Sequence, residues 1–556
     1  MHPSGNAAVA RSGGNHAAAF DHRHLRDAVG FSPAHASKML EQGFWSDATV
    51  WQWLAQAAAR MPDKPAVVTS TEILSYGEVH RRAERLARAL RALGLAKGDV
   101  IAIQLPNIPE FMIAYFAASM LGAVLAHLHM PYRAREMEPL LRHAGARLVI
   151  CGPAAGNYVP AETFLALRNA VASLTHIVSI GPAHPGTLSF QELIEAGPFS
   201  DIRESSTAAD PAILCFTSGT SAAPKAVVHS SYTMLATPRL CGPLYGLSEN
   251  DILLSAAPFT HAFGICIIHL ALSVGATQLL LPAFRPDLLV RTLTSGHPTM
   301  LFAAPAHIAA CLNAGLFAQA KLASLRLATI SGSACRPQLA HRLQEIMPGG
   351  KVMQMWGMTE LFMGLNTRLA DSEKVRCESI GGPTPQTEVR IVDDRGLPIL
   401  DGQTGELQIR GPSVFARYHN NAQANEESFV EGWFRTGDLA CRDLDGNFHI
   451  TGRLKDLINR GGIKINPADV ESLIDEHPKV VQSAIVPVPD EVMGEKGCVF
   501  IVPREGATVT LAEICEWLRG KGVARIKWPE YIELIAQMPM TPTRKIVKGL
   551  LRPRQG

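Results

Sequence analysis

In 556 residues, 52 lysines and arginines face 50 aspartates and glutamates, for a net charge of +2. So small a surplus gives no global field for nucleic acid or an anionic membrane, and 6% aromatic residues offer few base-stacking platforms. With 47% hydrophobic and 18% charged residues the chain can bury a large core, which excludes a disordered, collagen-like or coiled-coil protein.

At roughly 150 residues per domain, the length fits several units, or one large domain and a smaller one. None of the ten cysteines forms a CxxC pair, so neither a zinc knuckle nor a redox motif is indicated. They sit mostly in apolar runs, as small buried hydrophobes do. A reducing, cytoplasmic setting is expected.

Residues 1–40 are rich in Ala, Gly and His and show little periodicity; they read as a flexible extension without a secretory-type apolar stretch. His2, His16, His22 and His24 read as solvated tail residues. From Trp51 the pattern is helix alternating with strand. Residues 78–94 place Val79, Ala83, Leu86, Leu90 and Leu93 on one stripe, predicting an amphipathic helix. Residues 99–103 then read as a buried strand, as do 147–151, 177–180, 252–255 and 277–281. The run 111–130 is long enough and nearly uncharged enough for a membrane span. Ser119, Gly122, His127 and His129 interrupt it, so a helix–strand unit inside an α/β core is expected instead.

Short buried strands between amphipathic helices imply helix-covered β-sheets. Residues 388–450 change character: turn signals at 394–396, 401–402 and 445–446 separate short alternating strands, a β-rich section. The basic, glycine-bearing stretch 452–467 reads as a junction, followed by a compact α+β unit with a basic tail. The expected organisation is an extension (1–40), a large α/β domain with a β-rich subdomain (41–454) and a small α+β domain (455–556).

One segment carries chemistry by itself. In 213–229, a strand ending at Phe216 runs into Thr217, Ser218, Gly219, Thr220 and Ser221, then Pro224 and Lys225, before Val227 and Val228 resume a strand. Small residues let backbone N–H groups approach an anion, hydroxyls donate more hydrogen bonds, and lysine adds a positive charge. Such a loop suits phosphate oxygens. It lacks the GK[ST] of a Walker loop, and a polar hairpin turn is the bland alternative.

This loop resembles the [YF]TSGTTGxPKG signature of the adenylate-forming superfamily, which includes acyl- and aryl-CoA synthetases, luciferases and peptide-synthetase adenylation domains. Two family glycines are replaced, by Ala222 and Ala226. Further motifs follow in family order over nearly the whole chain. Ser331-Gly332-Ser333-Ala334 resembles the adenine-contacting turn, and Trp356-Gly357-Met358-Thr359-Glu360 resembles YGxTE. Residues 433–438 match W[FY]xTGD, and 452–456 match GRxKD. Residues 539–546 resemble the terminal PrTxxGKI motif, with Arg544 in place of its glycine and Lys545 retained.

The resemblance implies roles residue by residue. Thr359 would bond the α-phosphate, Glu360 would hold Mg²⁺, and Trp356 would stack on adenine. Gly332, Ser333, Ala334 and Gly357 would complete the nucleotide site. Asp438 would take both ribose hydroxyls, and Arg453 would contact ribose or phosphate. Lys225 and Lys545 would neutralise phosphate charge. Lys455 falls at the family's interdomain hinge, Gly461 and Gly462 would pack on pantetheine, and His261 sits at a gate between acyl and pantetheine paths.

The acyl pocket implied by the resemblance is lined by His261, Ala303, Ala304, Gly357, Met358 and Met363, without a cation for a second carboxylate. ATP and CoA are thus the expected co-substrates of an AMP-forming ligase acting on an apolar alicyclic, aromatic or medium-chain monocarboxylic acid. Within the family, the chain resembles cyclohexanecarboxylate-CoA ligase and related medium-chain members. Transfer of the acyl group to a carrier protein, and a catalytically weak nucleotide or acyl binder, are the alternatives. No nucleic acid or membrane span is expected; a monomer and a homodimer both remain open.

Overall fold

The computed structural model describes residues 30–181, 184–196, 203–217, 225–317, 322–541 and 544–553. Its large domain is built on two mostly parallel sheets. One has seven strands, in the order Leu188–Ser189, His176–Ser179, Ala146–Cys151, Val100–Gln104, Val124–His127, Pro211–Thr217 and Lys225–Ser230. The other has nine, with a parallel centre of Lys351–Trp356, Leu327–Ile330, Met300–Ala303, Ile252–Ser255, Thr277–Leu279 and Pro65–Val68.

Alternation along each strand explains how the sheets are layered. Ile101 and Ile103 point to one face and join a core shared with Leu253, Phe302 and Met353 of the other sheet. Val100 and Ala102 point to the opposite face, against Met137, Leu141 and Phe164. Strands buried on both faces are apolar at every position, as parallel sheets require. The shared layer holds the helices Tyr76–Ala92, Pro109–Leu121 and Ala262–Val274.

The 78–94 stripe is realised in Tyr76–Ala92. Ser75 caps its N-terminus with Glu78 in the first turn, and Val79, Ala83, Leu86 and Leu90 are buried. Leu93 lies one residue past its end and is partly buried. The run 111–130 is a buried helix–strand unit. Every residue of Pro109–Leu121 except Glu110 is buried, and Gly122 ends the helix at φ 72° before the strand Val124–His127. Among the described residues, no helix is long and apolar enough to cross a membrane.

The expected flexibility of 1–40 does not extend to its last residues. Ser32 caps, and Pro33 starts, a helix over Pro33–Glu41. Phe31 and His35 pack against Trp45, whose ring stacks on Tyr232 at 4.6 Å. Residues 1–29, with their four histidines, lie outside the described residues.

The β-rich section forms a five-stranded sheet of Glu388–Val392, Gly405–Arg410, Phe429–Val430, Trp433–Arg442 and Phe448–Arg453. Its core takes in Trp356 and Val227 beside Phe415, Tyr418 and Phe434, which fastens it to strands of both large sheets. A 3₁₀ turn, Leu454–Asp456, leads into the small domain. There the strands Val480–Asp490 and Gly494–Pro503 pair along their length; the helices Pro467–Ile474 and Leu511–Gly520 share one core with them, and Met538 and Leu551 join a second core with Ala484, Val486 and Phe500.

Candidate active site

The site gathers at the carboxyl ends of neighbouring parallel strands, where open α/β sheets bind ligands. Ile252–Ser255 leads to His261, and Met300–Ala303 delivers Ala303 and Ala304. Leu327–Ile330 delivers Gly332, Ser333 and Ala334, and Lys351–Trp356 delivers Trp356, Gly357, Met358, Thr359 and Glu360. Adjacency in the sheet therefore turns scattered motifs into one wall. Ala303, Ala304 and Met363 are buried, whereas Ser333 and Ala334 are exposed.

Close backbone packing shapes that wall. A Cβ on Gly357 would lie 1.7 Å from the Phe362 carbonyl oxygen, so only glycine allows this turn. Gly332 has φ 93°, a conformation that side chains avoid. His229 supports the turn from beneath: its Nε2 lies 2.7 Å from the Thr359 carbonyl oxygen and donates to it. Burial lowers the His229 pKa to about 4, so this ring is neutral at pH 7.

Glu360 is 5% exposed, and its Oε1 accepts a 2.8 Å hydrogen bond from the Tyr418 hydroxyl. Burial raises its pKa, while Tyr418 and Lys225 oppose the rise. Lys225 Nζ sits 5.1 Å over the Tyr418 ring, so carboxylate, phenol and ammonium form one unit. Lys225 and Thr217 face each other across the hairpin Pro211–Thr217 and Lys225–Ser230. Ser218, Gly219, Thr220 and Ser221 lie between them, outside the described residues, as does Ala222.

Asp438 forms the second charged centre. Its Oδ2 accepts from the Trp356 indole N–H at 2.9 Å, and its Oδ1 pairs with Arg453 Nε at 3.0 Å. Trp356 is thus tied to Asp438 by a bond for which a tyrosine has no indole N–H. Lys545, from the small domain, reaches the same region. Burial and the neighbouring Arg453 bring its pKa down to about 8, while Asp438 and Glu360 pull the other way. Lys455 is also lowered, by burial and by Arg453.

His261 caps the helix Ala262–Val274; its Nδ1 accepts from the Phe263 N–H at 3.1 Å. Burial, with Lys545 nearby, holds its pKa well below the usual value. A neutral ring bonded this way carries its proton on Nε2. Lys225, Glu360, Asp438, Arg453, Lys455, Lys545 and His261 therefore share one electrostatic neighbourhood. Gly461 and Gly462 do not join it; they form an exposed hairpin turn at φ 58° and 84°.

Tyr418 and His229 are functional candidates that motif reading missed. Their signal is a contact to Glu360 or Thr359 across 58 and 130 residues, which no local pattern carries.

Residues 54–419 match the family of AMP-binding enzymes, and 469–545 match the AMP-binding enzyme C-terminal domain. The chain belongs to the adenylate-forming AMP-binding ligase family. It is 30% identical to the medium-chain fatty-acid–CoA ligase of Escherichia coli, over 96% of this chain and 95% of that one. It is 32% identical to the salicyl-AMP ligase / salicyl-S-ArCP synthetase of Mycobacterium tuberculosis, over 94% and 93%. The crystal structure of the anthranilate CoA ligase AuaEII with anthranoyl-AMP superposes with a TM-score of 0.82 at 27% identity, covering 90% of this chain and 96% of that one.

The turn at Gly357 gives a direct test. Gly357→Ala must push the Phe362 carbonyl away, at a cost of about 1–3 kcal/mol. Chemical denaturation is expected to show that loss; unchanged stability would mean that the turn has another conformation.

Proposed function

We propose that the chain is an ATP-dependent carboxylate–CoA ligase for an apolar alicyclic, aromatic or medium-chain monocarboxylic acid. The observation that carries the proposal is the convergence of Lys225, Glu360, Asp438 and Lys545, from four separate motifs and two domains, on one electrostatic neighbourhood. A carboxylate is a poor electrophile at pH 7. Attack of its oxygen on the α-phosphorus of ATP, with loss of pyrophosphate, gives an acyl-adenylate whose leaving group is AMP. The thiolate of CoA then attacks the carbonyl carbon and AMP departs.

The first step brings an anion toward a polyanion, so the residues needed are charge-neutralising and orienting rather than basic. Lys225 and Lys545 supply positive charge, and Thr359 donates its hydroxyl to the α-phosphate. Asp438 keeps lone pairs for ribose hydroxyls beyond those used by Trp356 and Arg453, since an ionised carboxylate has about four acceptor sites. Mg²⁺ fits the buried Glu360 carboxylate, an oxygen donor whose raised pKa marks a charge in need of a cation. When bound, it would offset the charge of the phosphates.

The pocket chemistry supports a neutral, apolar acyl group. Burial lowers the pKa of His127 to about 3 and that of His129 to about 4, so the histidines around His261 are uncharged. They offer no counter-charge to a second carboxylate. His261 would gate the way to the acyl group from the pantetheine side. For thioester formation the small domain would turn about Lys455, withdrawing Lys545 and bringing Gly461 and Gly462 to the cleft. A carrier-protein acceptor is the second reading, favoured by the salicyl-S-ArCP synthetase likeness.

Pyrophosphate release from ATP, measured with benzoate, cyclohexanecarboxylate, hexanoate and octanoate, tests the proposal. Release with at least one acid, and acyl-CoA formed on adding CoA, is the expected result. Release without acyl-CoA would move the assignment to a carrier-protein acceptor, and no release with any acid would remove the ligase reading.

Lys545 should set the alkaline limit of adenylation. It is charged below about pH 8, so kcat/KM for ATP is expected to fall as pH rises through that value. Lys545→Arg should move the fall upward. Lys545→Ala should lower adenylation on the order of 10²-fold while sparing thioester formation from preformed acyl-AMP. An unchanged profile in Lys545→Arg would deny the lysine this role.

A further inference from the structure

Arg544 stands where the resembled family has glycine, beside Lys545, and its backbone takes the conformation a glycine would. Its φ is 60°, in the left-handed region that side chains disfavour. The loop around it is tightly bonded. Arg544 N–H donates to the Thr541 carbonyl at 2.8 Å, Thr541 N–H donates to the Lys545 carbonyl at 2.7 Å, and Val547 N–H donates to the Pro539 carbonyl at 2.8 Å. Lys545 N–H donates to Thr541 Oγ1 at 2.9 Å. A residue that keeps a disfavoured φ needs a compensating contact.

That contact is on the large domain. The Arg544 guanidinium carbon lies 4.7 Å above the centre of the Phe284 ring. Phe284 in turn packs on the His307 ring, with centroids 4.3 Å apart. His307 is 2% exposed, and its Nδ1 accepts from the Ala304 N–H at 3.2 Å. A continuous chain of contacts thus runs from the residue next to Lys545 to the wall holding Ala303 and Ala304. Burial, helped by Arg544, brings the His307 pKa down to about 4, so a neutral ring lies behind the cation. A second interdomain contact, the ion pair of Arg336 with Asp475, lies at the start of the helix Pro337–Glu345.

We infer that Arg544 is a positioning residue: its cation–π contact with Phe284 clasps the small domain to the large one in the arrangement that places Lys545 in the cleft. The clasp favours the adenylating arrangement and must open before the domain can turn. The inference rests on the ligase reading for its catalytic consequence, but not for the contact itself. An exposed cation–π contact shifts such an equilibrium about two- to five-fold.

The test uses the full-length chain and the variants Phe284→Leu, Arg544→Ala, Arg544→Lys and the double variant Phe284→Leu/Arg544→Ala. Amide hydrogen exchange over residues 539–547, read without any acid or nucleotide, should speed up about two- to five-fold in Phe284→Leu and in Arg544→Ala. The double variant should add nothing, and Arg544→Lys, which keeps a cation, should recover part of the protection. Exchange over the strand Val100–Gln104 should not change, which separates a loosened clasp from a loosened fold. Adenylation should fall by a similar factor while thioester formation from preformed acyl-AMP holds or rises.

Unchanged exchange in Phe284→Leu, additive effects in the double variant, or equal losses in both half-reactions would overturn the clasp. If the wild type released no pyrophosphate with any acid, the ligase reading would fall, and the exchange data would still decide the clasp.

Discussion

Charge compensation inside a cleft governs this structure. A buried carboxylate is costly unless it is paired and hydrogen-bonded. Glu360 meets part of that demand with the Tyr418 hydroxyl and the nearby Lys225, and Asp438 with Trp356 and Arg453. Lys545 arrives from the other domain under the opposite strain, a desolvated ammonium short of negative charge. Separately, each arrangement is incompletely balanced. An incoming polyanion with its own cation would supply what both sides lack, so the electrostatics of these side chains and the chemistry proposed for them are two views of one constraint.

The fold places these groups by simple means. Parallel strands put consecutive crossover loops on one edge, so His261, Ala304, Gly332 and Thr359 become neighbours because Ile252–Ser255, Met300–Ala303, Leu327–Ile330 and Lys351–Trp356 are adjacent in register. The β-rich subdomain is anchored through Trp356 and Val227, which sets Asp438 and Tyr418 against that edge. The small domain has cores of its own and meets the large one through side chains such as Arg544 and Arg336. Autonomous cores joined by a few polar or ring contacts are what the proposed turning of the small domain requires.

Much of this was legible in the sequence because it is local. The stripe Val79, Ala83, Leu86 and Leu90 shows its helix through periodicity, and Gly122 marks the break between helix and strand in the 111–130 run. The motif residues are contiguous strings, and they carried the nucleotide reading before any contact was known. What was not legible depends on pairing between distant segments. Tyr418 has no motif, and its importance lies in one hydrogen bond to Glu360. His229 reads as an ordinary strand residue until its bond to the Thr359 carbonyl is seen. Arg544 could be noted as a departure from glycine, but neither its positive φ nor Phe284 beneath it follows from the string. The helix at Pro33 was hidden by a surrounding composition typical of a mobile tail.

A crystal structure of the chain with ATP and Mg²⁺ tests the central claim most directly. The account predicts ribose hydroxyls on Asp438, the α-phosphate within hydrogen-bond distance of Thr359, and phosphate oxygens beside Lys225 and Lys545. A triphosphate bound elsewhere, with Asp438 still held only by Trp356 and Arg453, would contradict it.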